Sequence, residues 1–173
     1  MDQAAIIARI DRLEYDFQLF ELDDFIDHVA RYQRREIVLK AFPLELTLSA
    51  AWVRGDEVDY IVYNDRLHVV QQRHNILHEI AHIVLNHRRR PLAEVLPPEL
   101  LAQLAQLLPL AAQGRPRPTD PRLRLDPEEQ EAEAFVLHIQ QRLVQAQRLQ
   151  ALLGPSSSNA GLDRWVDSMA FGE

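Results

Sequence analysis

Residues 73–87 read RHNILHEIAHIVLNH, with His78, Glu79 and His82 in the pattern His-Glu-x-x-His. On a helix, residues four apart share a face, so the imidazoles of His78 and His82 can reach one ion. Glu79 lies one step round, where its carboxylate can touch a water on that ion. The flanking Ile76, Leu77, Ile80, Ala81, Ile83, Val84 and Leu85 make the segment apolar on all sides, which reads as a buried helix. Two histidines and a glutamate inside such a helix are costly unless something offsets their desolvation, and a metal ion does. With 7 His in the chain, the pattern arises by chance with a probability of roughly 2%. The segment therefore reads as a metal helix spanning about 72–86.

The chemistry expected of such a site is hydrolytic. Zinc lowers the pKa of a bound water towards about 7, and a neighbouring carboxylate takes the proton. Glu79 is the candidate general base. A catalytic zinc takes three protein ligands and keeps a position open for water. A third histidine six residues after His82, preceded by a glycine at 85, is excluded, because Leu85 and Arg88 stand there. His87 falls on the wrong face if the helix continues, and reads as a capping or surface residue. His74, one turn before His78, reads as a rim residue more than as outer support of the metal. The third ligand is then sought in the acidic stretch EEQEAEAF, residues 128–135. Glu129 reads as the capping-box partner of Asp126. Glu133 faces away from Glu131, and Glu128 sits at the exposed start. Glu131 shares a face with Phe135 and His138, and is the expected third ligand.

Outward from the metal helix, apolar spacing predicts helices over 3–15 and 23–32. Residues 36–41 (EIVLKA) read as a strand. Alternation of Leu44, Leu46, Leu48, Ala50 and Trp52 against Glu45, Thr47 and Ser49 reads as a half-buried strand. Gly55 and Asp56 suit a hairpin turn, 57–63 (EVDYIVY) is the return strand, and 67–70 could form one more strand. Pro97 and Pro98 open an apolar helix over 99–108, and 114–121 (GRPRPTDP) reads as a loop. A long helix runs from the cap Asp126 and Pro127 to Gly154 and Pro155.

Composition narrows the class. The chain has 173 residues, 47% hydrophobic and 26% charged, as an ordinary globular domain does. With no cysteine, there is no disulfide framework and no thiolate site, so any metal is held by His, Asp or Glu. A net charge of −7 argues against direct nucleic-acid binding. No apolar run spans a bilayer, and the acidic start MDQAAIIARIDRLEYD is unlike a signal peptide, so a cytoplasmic protein with no membrane partner is expected.

The segment RHNILHEIAHIVLNH, followed later by EAEAF and preceded by DYIVYND, resembles the ImmA/IrrE family of bacterial zinc metallopeptidases over about residues 35–140. The resemblance implies an α+β, zincin-like fold, with a helical core, a small antiparallel sheet and the metal helix. It implies Zn2+ held by His78, His82 and Glu131, with Glu79 as the base. It also implies a protein partner, a helix-turn-helix repressor encoded nearby. The chain departs from the family pattern at Glu133 and Val136, where Asn and Ala are common. The expected organisation is one domain over 1–154, with 88–126 inserted between the metal-binding helices, and a flexible tail over 155–173. The expected function is a regulatory zinc endopeptidase. The alternative is a metal-containing interaction protein that does not cleave, such as a toxin-antitoxin component.

Overall fold

The computed structural model describes residues 2–43, 48–88, 90–91, 98, 102, 113–118 and 126–153. Apart from residue 102, the helix expected over 99–108 lies outside the described residues, as do the tail over 155–173 and 44–47, the start of the alternating segment.

Two helices lead the chain. Helix α1, Gln3–Asp11, is capped by Asp2, whose side chain accepts from the Ala5 N–H at 2.7 Å. Helix α2, Leu22–Gln33, buries Phe25, Ile26 and Val29 and ends at Arg34 in the left-handed region. Between them Tyr15 sets its ring edge-on to Phe17 and Phe25, with centroids 5.2 and 4.9 Å away. Burial and a hydrogen bond donated to Asp24 push its phenol well above the ordinary range, so it stays neutral.

Three strands follow: β1, Glu36–Phe42; β2, Leu48–Arg54; and β3, Val58–Asn64. The helix that carries His78, Glu79 and His82 is α3, Val69–Leu85. Two short strands come next, β4 (Arg90–Pro91) and β5 (Gln113–Pro118), and the last element is α4, Pro127–Leu153. The sheet order is β1-β3-β2-β5-β4. The α+β class is as expected, but the sheet is mixed where an antiparallel one was expected. Strand β3 inserts between β1 and β2, pairing antiparallel with β2 and parallel with β1. Strands β1 and β2 run in opposite directions, so a strand placed between them must be parallel to one.

Two further expectations are corrected. Residues 67–70 form no strand, because His68 caps α3: its Nδ1 accepts from the Val70 N–H at 3.4 Å. The expected loop at 114–121 contains β5, which pairs with β2 from Arg54↔Gln113 to Leu48↔Pro118. Pro116 and Pro118 lack an N–H, and both lie beyond the stretch paired with β4, which covers Gln113 and Gly114.

Helix α3 runs through the centre, touching β2, β3, α1, α2 and α4. Every residue from Asn75 to Leu85 is buried. That accounts for apolar residues on all its faces. The helix α4 supplies a row at steps of three and four, Ala132, Val136, Ile139 and Leu143, with Phe135 beside it, all fully buried.

Strand β2 is pinned from below by a buried polar network. The Trp52 indole Nε1–H donates to Asp59 Oδ1 at 3.0 Å. Arg35 Nε–H donates to Asp59 Oδ2 at 2.9 Å, and its other nitrogens reach the Asp56 and Gly55 carbonyls. Removing one partner of a buried charge pair leaves the other uncompensated, at about 3–5 kcal/mol. Asp59→Ala is expected to destabilise the fold by about that amount, read as a lower denaturant midpoint with an unchanged slope. A midpoint within experimental scatter of wild type contradicts the role given to this network.

Candidate metal centre

The end of α3 shapes one side of the site. Asn86 adopts φ 55°, a left-handed conformation that Asn tolerates. Its N–H donates to the Ile83 carbonyl at 3.2 Å, and the His87 N–H donates to the His82 carbonyl at 3.0 Å. These two bonds are a Schellman closure, which folds the chain back so that the second residue past the helix lies against its last turn. His87 is thereby buried, 5% exposed, with its Nδ1 2.7 Å from His82 Nδ1. The expected capping or surface role is corrected. A helix that ends at Leu85, with the chain reversed at Asn86, has no wrong face to offer at His87.

The start of α4 shapes the other side. Asp126 Oδ1 accepts from the Glu128 N–H at 3.0 Å, as an N-cap does. The Glu129 side chain turns to α3. Its Oε2 lies 3.0 Å from His78 Nε2, and its Oε1 lies 3.6 Å from His82 Nε2. His78, His82 and Glu129 each offer one ligand atom, all within 4.8 Å of one another.

The structure therefore brings His78 and His82 together as expected, but with Glu129 where Glu131 was expected. The reason is the rotation of α4 about its axis. Glu129 continues the buried row of Ala132, Val136, Ile139 and Leu143, which faces α3. Glu131 lies to one side of that row, and its Oε2 is 3.1 Å from His87 Nε2. Glu133 lies to the other side. Its Oε2 is 3.4 Å from His74 Nε2, and its Oε1 is 3.2 Å from His78 Nδ1, off the line of a hydrogen bond. His74 is one-third exposed, consistent with a rim position. Glu128 Oε1 accepts from the Arg88 N–H at 3.1 Å.

Glu79 is fully buried, and its Oε2 accepts the Trp52 backbone N–H at 2.9 Å. Strand β2 thus holds the carboxylate that follows His78. The sequence signal for His87 was the Leu-Asn-His ending, since Asn favours the left-handed closure of a helix. The signal for Glu129 was its place in the apolar row of α4.

Residues 33–108 match the family model described as the IrrE N-terminal-like domain, Peptidase_M78. The resemblance read from the His-Glu-x-x-His helix is borne out over these residues. The matched stretch runs from the end of α2 through α3 and stops before α4, so Glu129 enters the site by geometry alone. No curated protein and no solved structure is similar enough to match.

The side chains fit a divalent metal. Two imidazole nitrogens and one carboxylate form a borderline nitrogen–oxygen donor set of three protein ligands. They converge where unpaired polar atoms would be costly to bury. Protein purified without added metal is expected to carry one divalent ion per chain by elemental analysis. Glu129→Ala, like His78→Ala and His82→Ala, is expected to abolish that content, and Glu128→Ala to keep it. Full metal content in Glu129→Ala rules out its place in the site.

Proposed function

We propose that the protein is a zinc-dependent metalloendopeptidase of regulatory function, with Glu79 as its general base and His78, His82 and Glu129 as its metal ligands. The observation that carries this reading is the meeting of His78, His82 and Glu129 across α3 and α4, with a buried glutamate directly after the first histidine. The match to a peptidase family model supports it. The donor set is that of hydrolytic zinc sites with two histidines and one glutamate.

A zinc ion bound there supplies Lewis acidity towards a water and a substrate carbonyl. The chain's own residues do the rest. The Trp52 N–H holds Glu79 Oε2, which supports a role for Oε1 in proton transfer. Glu79 Oε1 takes a proton from the attacking water and returns it to the leaving amine, so the side chain ends as it began. Because β2 is itself anchored through Trp52 to Asp59, the position of the base is coupled to the sheet. A protein substrate, specifically a helix-turn-helix repressor encoded nearby, rests on the family resemblance, and such a partner would meet the protein in the cytoplasm. No helix among the described residues is long and apolar enough to cross a membrane.

Glu79→Gln keeps the size of the side chain and an acceptor for the Trp52 N–H but removes the base. It is expected to fold, retain its metal and lower cleavage by about 10²–10⁴-fold. The measurement is the length of a neighbouring regulator co-expressed with either form, alongside the activity of the regulator's promoter. A regulator left intact by wild type, with both forms relieving repression equally, excludes the peptidase and leaves a protein that acts by binding.

A further inference from the structure

The metal reading uses His78, His82, Glu129 and Glu79, and leaves the buried His87 and the part-buried Glu131 without a task. His87 and Glu131 form an unbroken line with one ligand: His82 Nδ1 to His87 Nδ1 at 2.7 Å, then His87 Nε2 to Glu131 Oε2 at 3.1 Å. The side chains of His82, His87 and Glu131 are 1%, 4% and 12% exposed, so this line is largely shielded from water.

The direction of each bond follows from what each atom can do. An ionised carboxylate only accepts, so the proton between His87 and Glu131 sits on His87 Nε2. A neutral imidazole carries one N–H, so His87 Nδ1 is an acceptor. The proton between the two imidazoles then belongs to His82 Nδ1. That leaves the lone pair of His82 on Nε2, the nitrogen that lies 3.6 Å from Glu129 Oε1. Reverse either bond and His82 would present an N–H to the metal position.

We propose that His87 and Glu131 are positioning residues that lock the tautomer and ring orientation of His82, so that its Nε2 lone pair faces the metal position. The inference rests on the metal reading above. It gives Glu131 a role one imidazole removed from the expected direct ligation. Partners behind a ligating histidine typically contribute 10–100-fold to metal affinity. The relay also needs the Asn86 closure, because only that turn places the His87 ring beside His82.

The test uses the full chain and zinc alone. Zinc affinity is measured by competition with a chromophoric chelator, and the His82 tautomer is read in metal-free protein by two-bond proton–nitrogen correlation of labelled histidines. Wild type is expected to show His82 as the Nδ1–H form. Glu131→Ala and His87→Ala are each expected to weaken zinc binding by about 10–100-fold and to lose the Nδ1–H preference. The double variant is expected to be no weaker than either single one, because the two act as one line. Glu131→Gln conserves shape and an acceptor oxygen, so it is expected to recover part of the affinity. It also keeps the test decisive should the alanine variants fail to fold.

Wild-type zinc affinity in Glu131→Gln, Glu131→Ala and His87→Ala overturns the proposal, as does an unchanged His82 tautomer. If zinc binding is lost in His78→Ala but untouched in these variants, only the relay falls. If wild type takes up no zinc, the relay and the metal reading fall together.

Discussion

Burying two imidazoles and a carboxylate in the centre of a small domain is the constraint around which the rest is arranged. Residues 75–85 of α3 are all shielded from water, so His78, Glu79 and His82 cannot satisfy their polar atoms with solvent. Each must meet a partner supplied by another element. Helix α4 and strand β2 are those elements, and their positions follow from this requirement together with the apolar contacts around it.

The acidic start of α4 answers the requirement residue by residue. Glu128 ties the Arg88 backbone, Glu129 enters the site, Glu131 meets His87, and Glu133 meets His74 and lies beside His78. A dense run of glutamates in a first helical turn is ordinarily a response to the helix dipole. Here the dipole argument explains why the run is tolerated. The opposing histidines on α3 and just past its end explain where Glu129, Glu131 and Glu133 go.

Strand β2 answers the requirement for Glu79. Its Trp52 N–H is directed at a side chain, and its indole is fixed by Asp59 and through that by Arg35. The Glu79 carboxylate is therefore held by backbone and not by a mobile side chain, an arrangement that fixes its geometry. Two separate polar lines converge on the centre, one from the sheet to Glu79 and one from the end of α3 to His82.

The sequence alone determined the buried helix that carries His78, Glu79 and His82, because an apolar run with two histidines four apart marks a buried helix with one polar face. It determined the strands of β1 to β3 and the cap at Asp126, since these are local signals of alternation and capping. Local signals do not carry strand order. Only the tertiary structure decided that β3 lies between β1 and β2, which makes the sheet mixed. Likewise the pattern of α4 showed a carboxylate-bearing helix but not its rotation. Glu131 and Phe135 share one side of that helix, yet the buried row through Ala132, Val136 and Ile139 turns Glu129 towards His78. His87 was hidden for a related reason. Its reach depends on one left-handed residue, Asn86, that reverses the chain, and a helical wheel continued past that residue points it away from the site. Periodicity fixes which residues share a face, whereas packing against a second element fixes where that face looks.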